Sequence, residues 1–216
     1  MRTKIIIQII IWFLIIIIVS FFYNIEMGEF MAEDKSALEL KRVVFINGNI
    51  NEKLAETAIK EILSLESKNQ SAPIIMLISS YGGSYDPAMA IINTMNLCKS
   101  PIYTVCLRHA QSAGSLILLS GEKGHRYCVS RSRIMIHQLS GFSSGAVEQM
   151  VTTIDHIREL HKEMCEVIYE NTKIKKTVLM KNLQGSDWHL TEKEAIQYGV
   201  VDKVIKSFSE IDVINW

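Results

Sequence analysis

The chain has 216 residues, enough for one full-sized domain, and its 23 basic residues are balanced by 23 acidic ones. This balance argues against nucleic acid as an obligatory partner, because binding a phosphate backbone requires a surplus of Lys and Arg. The four cysteines have no CxxC spacing and lie in apolar surroundings. Their pattern predicts reduced thiols in a core, and therefore a reducing compartment.

An apolar segment near the N-terminus departs from this globular composition. Between Ile5 and Tyr23 only Gln8 and Ser20 are polar. A helix of this length would reach across most of a hydrocarbon core of roughly 30 Å. Basic residues precede the segment and acidic residues follow it, which predicts a cytoplasmic N-terminus. Two alternatives stay open: a membrane anchor, or upstream sequence absent from the working protein, since Met27 and Met31 are plausible later starts.

We therefore divide the chain into an N-terminal segment, residues 1–30, and a domain, residues 31–216. We expect the domain in the cytoplasm, and tethered to a membrane if the segment is retained. The hydrophobic periods of the domain alternate between those of strands and helices. In chain order they predict a strand Val43–Ile46 ending at Asn47-Gly48-Asn49, a helix through Leu54 and Leu65, a buried strand Ile74–Ile78, a helix through Met89 and Met95, and a strand Ile102–Leu107.

The second half of the domain continues this alternation. It predicts a helix from near Ser112 to Leu119, strands Arg126–Val129 and Arg133–His137, a long amphipathic helix Ala146–Asn171, a last helix opened by the capping box Thr191–Glu194 and stopped by Gly199, and a strand Val200–Ile205. Strands separated by crossover helices imply a mostly parallel α/β arrangement.

Ser112 lies where a buried strand gives way to a helix, between Ala110 and Gly114. Backbone N–H groups at the start of a helix can stabilise an oxyanion, and small neighbours let a substrate carbonyl approach. Taken alone, a serine here is more often a simple helix cap. The surrounding motif approaches the G-x-S-x-G elbow but has Ala110 at the first glycine position.

A glycine pair, a histidine and an aspartate also follow predicted strands or lie in loops. Gly82-Gly83 comes after one buried strand, His137 ends another, and Asp187 precedes the capped helix. Each has an ordinary structural explanation by itself. Together with Ser112 they supply the residue types that acyl transfer needs, in the order Gly-Gly, Ser, His, Asp.

These motifs resemble the ClpP family, the proteolytic subunits of ATP-dependent Clp proteases, over roughly Lys41 to Ile205. The interval of 25 residues between the serine and the histidine matches the family without a gap. The matching blocks are Leu77–Gly83 for the strand and glycine pair, Arg108–Ser115 for the nucleophile, Ser132–Gln138 for the histidine and Asp187–Ala195 for the acid. The resemblance implies a ClpP/crotonase-like α/β fold, a repeated ββα superhelix with a protruding handle.

The family's roles can be carried over residue by residue. The resemblance implies Ser112 as nucleophile, His137 as base and Asp187 as the orienting acid, with the N–H groups of Gly83 and Ala113 forming the oxyanion hole. It also implies two stacked heptameric rings joined through the handle, with polypeptide substrates cleaved in the inner chamber.

The resemblance further implies an AAA+ ATPase partner that consumes the ATP. The chain itself has no GxxxxGK[ST] element, and we expect it to use no cofactor and no metal. Family docking pockets use aromatic residues, whereas the matching positions Ile75, Leu77 and Leu97 are aliphatic. Two alternatives to the ATP-dependent peptidase therefore remain: a membrane-anchored peptidase that works without an ATPase, favoured by Ile5–Tyr23, and a catalytically weak structural ring subunit.

Overall fold

The computed structural model describes residues 42–185 and 187–211. The apolar segment Ile5–Tyr23, and the boundary placed at residue 31, lie outside these ranges, so both stay predictions. Among the described residues, no helix is long and apolar enough to cross a membrane.

The predicted strands and helices appear in the predicted order, and the structure adds a helix, Lys176–Leu183, and a short strand, Trp188–Leu190, that the sequence did not predict. The elements are β1 Val43–Ile50, α1 Glu52–Lys68, β2 Ile74–Gly83, α2 Tyr85–Leu97, β3 Ile102–Gln111, α3 Ala113–Leu119, β4 Arg126–Val129, β5 Arg133–Ile136, α4 Val147–Asn171, α5 Lys176–Leu183, β6 Trp188–Leu190, α6 Glu192–Gln197 and β7 Lys203–Ile205. A short 3₁₀ helix, Phe208–Glu210, follows β7.

One mostly parallel sheet runs through this part of the chain. Its main path is β1-β2-β3-β4-β7, with every neighbouring pair parallel. Strand β5 pairs parallel with the far end of β3, and β6 pairs antiparallel with β5. The parallel α/β arrangement is therefore confirmed, and β6 adds an antiparallel edge that the sequence did not predict.

The central strands are buried on both faces, which explains their unbroken apolar sequence. All residues of Ile74–Ile78 are buried in β2, and so are those of Ile102–Cys106 in β3. Helix α1 covers the sheet with the stripe Ala58, Ile62 and Leu65. The core therefore lies along β2 and β3, the two strands that lead to the predicted glycine pair and to Ser112.

Strand β1 continues through the residues predicted to end it. Its register with β2 shifts between Asn47 and Asn49, and Gly48 lies at φ +81°. The buried Ser80 hydroxyl donates a hydrogen bond to the Gly48 carbonyl at 2.6 Å. These turn-forming residues therefore make a bulge, because the parallel partner β2 extends to Gly83 and keeps β1 paired.

The last predicted strand is shorter than its apolar sequence suggests. Val200 and Val201 are fully buried, yet both N–H groups bond back to the Ala195 carbonyl at the end of α6. Pairing with β4 begins only at Lys203. The run Val200–Ile205 is thus part helix termination and part strand.

Arg126 joins three segments at the base of the fold. Its side chain donates two hydrogen bonds to the Asp202 carboxylate, at 2.7 and 2.8 Å, and others to the carbonyls of Leu119 and Asn171. Burial alone would raise the pKa of Asp202, but the hydrogen bonds and charge of Arg126 and the backbone N–H of Gly124 bring it below its usual value. The ends of α3 and α4 are therefore attached to the residue that precedes β7.

Arg42, the first residue that the structure describes, likewise connects several segments through its side chain. Its guanidinium donates hydrogen bonds to the carbonyls of Leu65, Asn69, Ala72 and Pro73 and to the hydroxyl of Ser100. The last turn of α1 and the loop that leads into β2 thereby obtain partners for their backbone carbonyls.

The four cysteines are free thiols. Three are buried and Cys98 is half-buried. Burial raises the pKa of Cys106 to about 11 and that of Cys128 to about 12, so both are protonated near neutral pH. The prediction that the thiols are mostly buried is confirmed, and the reducing compartment stays a prediction.

Candidate active site

Ser112 occupies a strained turn between β3 and α3. Its backbone lies at φ 53° and ψ −126°, a region that residues other than glycine rarely adopt, at a cost of about 1–3 kcal/mol. The Ser112 N–H donates to the Met135 carbonyl at 2.9 Å. The Ser112 carbonyl accepts from the hydroxyl and the N–H of Ser115, at 2.7 and 2.9 Å. Bonds on both sides therefore maintain this conformation, which resembles a nucleophile elbow.

The glycine pair makes room for this turn. A Cβ atom on Gly82 would lie 2.6 Å from the Cβ of Ser112, and one on Gly83 would lie 2.1 Å from the Ile50 carbonyl oxygen. Both distances are too short for any side chain. Gly82 also lies at φ +107°, which disfavours other residues. The pair is therefore required by close backbone packing against Ser112 and β1.

His137 reaches Ser112 because β5 pairs with the end of β3. Gln111 is in register with Met135, so the residues that follow the two strands lie side by side. The His137 Nε2 atom lies 2.7 Å from the Ser112 Oγ, a hydrogen-bond distance. The predicted nucleophile and base are thus in direct contact.

Asp187 reaches His137 through the short strand β6. Ile136 of β5 is paired antiparallel with Trp188 of β6, which places the next residue of one strand opposite the preceding residue of the other. Asp187 Oδ1 lies 3.6 Å from His137 Nδ1. This distance exceeds that of a direct hydrogen bond but brings the carboxylate within electrostatic reach of the imidazole.

A cavity of about 160 Å³ opens beside the Ser112 hydroxyl. Gly83 and Ala113, the two predicted oxyanion-hole residues, both line it, so they lie next to the nucleophile. Their role as donors stays a prediction. The other lining residues are Ser84, Tyr85, Ser112, Ser115, Leu116, Ile136, His137, Gln138, Leu139, Ser140 and Met164.

Sequence reasoning missed two walls of this cavity, Tyr85 and Met164. Tyr85 comes two residues after the glycine pair, and its proximity to Ser112 could have been inferred from that position. Met164 carried no such signal, since it comes from α4, which is 25 residues long and matched an ordinary amphipathic pattern.

Within residues 42–185 and 187–211, no group of three His, Cys, Asp or Glu side chains could hold a metal ion. His161 and Cys165, one turn apart on α4, approach to 3.8 Å as a pair.

The fold and the site together are those of an α/β hydrolytic protein with a serine at a strained turn and a histidine beside it. The chain belongs to the Clp protease family, whose model, described as Clp protease, matches residues 26–208. The resemblance to ClpP and the ClpP/crotonase-like fold are thereby confirmed. The protein is accordingly a member of a peptidase family.

Proposed function

We propose that the chain is a serine endopeptidase subunit of an ATP-dependent Clp-type protease, which cleaves peptides and unfolded polypeptides with Ser112, His137 and Asp187. The observation that carries the proposal is the 2.7 Å contact between Ser112 Oγ and His137 Nε2, made by a serine at positive φ beside a cavity. Nothing in this chemistry requires a metal or an organic cofactor in the chain.

In the proposed reaction, His137 Nε2 takes the proton of the Ser112 hydroxyl as the oxygen attacks the scissile carbonyl. The N–H groups of Gly83 and Ala113 stabilise the resulting oxyanion, and His137 then protonates the leaving amine. Water, activated by the same imidazole, hydrolyses the acyl-enzyme and regenerates Ser112. Asp187 orients the imidazole and stabilises its charged form.

Helix α4 and the segment before it match the family's handle, and their surface supports the proposed double-ring assembly. Val147, Val151 and Ile154 form an exposed apolar stripe on α4, and Phe142, in the segment before it, is exposed as well. A stripe of this kind favours packing against another protein surface. We propose that copies of the chain pack through this helix, as the resemblance implies for two rings of seven subunits. Val151→Glu and Ile154→Glu should then reduce the mass of the assembly measured by analytical ultracentrifugation.

Two exposed apolar residues, Leu97 and Phe45, are candidates for contact with the proposed ATPase partner. Of the three aliphatic positions that match the family's docking pockets, Leu97 is exposed, whereas Ile75 and Leu77 are buried. Phe45, in register with Leu77 on β1, is exposed and adds an aromatic ring near that position. We propose that an AAA+ unfoldase binds here, so that the chain alone cleaves peptides but degrades folded proteins only with the unfoldase and ATP.

Labelling with a fluorophosphonate probe tests the catalytic proposal. We expect mass spectrometry of the full 216-residue chain to find the label on Ser112, and to find none in Ser112→Ala or His137→Ala. Matched controls are Ser64→Ala and His156→Ala, which change exposed residues on α1 and α4 and should label as the unaltered chain does. An assembled, folded chain that does not label would instead support the structural-subunit alternative.

A membrane-anchored peptidase is the second candidate, favoured by the apolar run Ile5–Tyr23. Labelling of Ser112 that survives His137→Ala would favour a Ser-Lys type of mechanism for it. Fractionation of native cells separates the two candidates further. N-terminal sequencing that finds Met1 on membrane-bound protein would support the anchored form, and a start at Met27 or Met31 would reject it.

A further inference from the structure

Ser115, the third residue of α3, is a buried serine that contacts the turn of the nucleophile. Its side chain is fully buried, and no step of the proposed reaction uses it. The Ser115 hydroxyl donates a hydrogen bond to the Ser112 carbonyl at 2.7 Å, and the Ser115 N–H donates to the same oxygen at 2.9 Å. One carbonyl oxygen therefore receives both donors of a single residue.

The start of a helix by itself explains only the second of these bonds. A backbone N–H that donates to the carbonyl three residues earlier is ordinary geometry in the first turn, and almost any residue can supply it. The bond from the side chain needs a hydroxyl, and it also gives the buried Ser115 oxygen a partner that it would otherwise lack. The hydroxyl therefore adds a constraint on the Ser112 carbonyl that the helix alone does not provide.

The carbonyl that Ser115 holds belongs to the same peptide group as the Ala113 N–H. A trans peptide group is planar, so its C=O and its N–H point in opposite directions. All peptide bonds among the described residues, this one included, are trans. The contacts that fix the direction of the Ser112 oxygen therefore fix the direction of the Ala113 N–H as well.

The Ala113 N–H is free to serve a ligand. Ala113 is the first residue of α3, so its N–H has no acceptor within the helix, and the residue lines the cavity beside the Ser112 hydroxyl. Two donors on the oxygen of a peptide group polarise that group and make its N–H a stronger donor in turn. Ser115 therefore acts on both the direction and the strength of the Ala113 N–H.

We propose that Ser115 is a positioning residue of the oxyanion hole. Its hydroxyl holds the peptide group between Ser112 and Ala113 so that the Ala113 N–H is directed at the oxygen of the attacked carbonyl. Ser115 transfers no proton and makes no bond to the substrate. The inference rests on the proposed peptidase function and adds to it how one of the two oxyanion donors is kept in place.

The test compares Ser115→Ala with the unaltered full chain on a fluorogenic peptide. The kcat should fall about ten-fold, less than the roughly 10²–10³-fold that loss of an oxyanion donor costs, because the Ser115 N–H still holds the carbonyl. The KM should stay within about two-fold, since the oxyanion forms only after attack. A peptidyl trifluoromethyl ketone, which forms an oxyanion when Ser112 adds to it, should bind about ten-fold more weakly.

Ser120→Ala is the matched control at the other end of α3. The Ser120 hydroxyl donates to the Leu116 carbonyl at 2.8 Å, so this variant loses the same kind of bond, and Ser120 does not line the cavity. Its kcat and its affinity for the ketone should stay within about two-fold of the unaltered chain. Circular dichroism should find both variants folded, because each loses one hydrogen bond of modest net strength.

The outcomes separate this inference from the proposed function. An unaltered chain without Ser112-dependent cleavage would overturn both. Ser112-dependent cleavage with a kcat in Ser115→Ala within about two-fold of the unaltered chain would overturn the role of Ser115 alone. An equal loss of kcat in Ser120→Ala, a lower kcat with unchanged affinity for the ketone, or a Ser115→Ala chain that does not fold would overturn it too, because the hydroxyl would then support the fold and not the oxyanion.

Discussion

Two aspartates of this protein pair with basic residues in different environments, Asp202 with Arg126 and Asp187 with His137. The Arg126–Asp202 pair is enclosed, with side chains 5% and 23% exposed, and its closest N–O distance is 2.7 Å. In the His137–Asp187 pair the side chains are 29% and 55% exposed, and the nearest atoms lie 3.6 Å apart. Two direct hydrogen bonds join the first pair, whereas the second makes no direct hydrogen bond between its members.

The difference indicates that the carboxylate of Asp202 contributes to stability and that of Asp187 to activity. Asp202 accepts from the Arg126 side chain and from the N–H groups of Gly124 and Arg126, so removing it would leave the buried Arg126 side chain without its carboxylate partner. Asp187 could be removed at little cost to folding, because water can replace it beside His137. We therefore expect substitutions in the first pair to change stability and those in the second to change activity.

His137→Ala should have the largest effect. Removing the proposed base should lower kcat/KM for peptide cleavage by about 10⁴–10⁶-fold, because Ser112 loses its proton acceptor. The midpoint of thermal unfolding should change little, since the histidine is partly exposed. Peptide cleavage and circular dichroism measure the two quantities. If the loss of activity were accompanied by a large drop in the unfolding midpoint, the assignment of His137 to activity and not to stability would be contradicted.

Asp187→Asn should have the next largest effect, about 10³-fold on kcat, through loss of imidazole orientation and of charge stabilisation. We expect a smaller loss than in His137→Ala, because the carboxylate is exposed and 3.6 Å from the ring. Steady-state kinetics on a peptide substrate would measure it. A loss of less than ten-fold in kcat would show that Asp187 does not orient the His137 imidazole or stabilise its charge.

Asp202→Asn should leave the site intact but destabilise the fold by about 3 kcal/mol, as breaking a buried ion pair does. Urea unfolding measures this free energy. Asp155→Asn is the matched control, because Asp155 pairs with Arg158 on an exposed face of α4 and should contribute less than about 1 kcal/mol. An equal loss of unfolding free energy in the two variants would contradict the expectation that a buried ion pair contributes more to stability than an exposed one.

The contribution of the enclosed Arg126–Asp202 pair to stability should depend on pH. The pKa of Asp202 is lower in the folded protein than in the unfolded chain. Its contribution to stability is therefore complete above the unfolded pKa of about 3.9 and is lost as the pH falls through the folded value. The difference in unfolding free energy between the unaltered chain and Asp202→Asn should accordingly shrink as the pH is lowered from about 6 toward 3. A difference that stays constant would contradict this assignment.

Thr191→Ala should have the smallest effect, about 1 kcal/mol of stability. Thr191 caps α6 in a capping box with Glu194, directly after the strand β6 that places Asp187 beside His137. Thermal unfolding and peptide cleavage would show whether loosening this cap also lowers activity, which we expect to change less than three-fold. Thr57→Ala, an exposed change within α1, is the control and should change stability by less than about 0.5 kcal/mol.

The sequence predicted the elements that carry a strong local pattern. Helices α1 and α4 follow from their apolar stripes, and the capping box Thr191–Glu194 forms both of its hydrogen bonds. The bulge at Gly48 was mistaken for the end of a strand, because the sequence of β1 does not show how far its partner β2 extends.

The candidate site was predictable by residue type but not by geometry. Ser112, His137 and Asp187 were named from their motifs, yet the strand that brings Asp187 to His137 has only three residues, too few to show a period. The positive φ of Ser112 and the Met164 wall of the cavity depend on contacts between distant segments. No local pattern encodes such contacts.

The hydrogen bonds of Arg42 bear on how the chain could be shortened. Trypsin must bind an arginine side chain in its own pocket to cut after it, and this guanidinium is occupied by the carbonyls of residues 65, 69, 72 and 73. Proteolysis at this bond therefore requires local opening of α1 and the loop before β2. A truncated form of the protein that retains the fold should begin no later than Arg42, because a later start leaves those carbonyls without their donor.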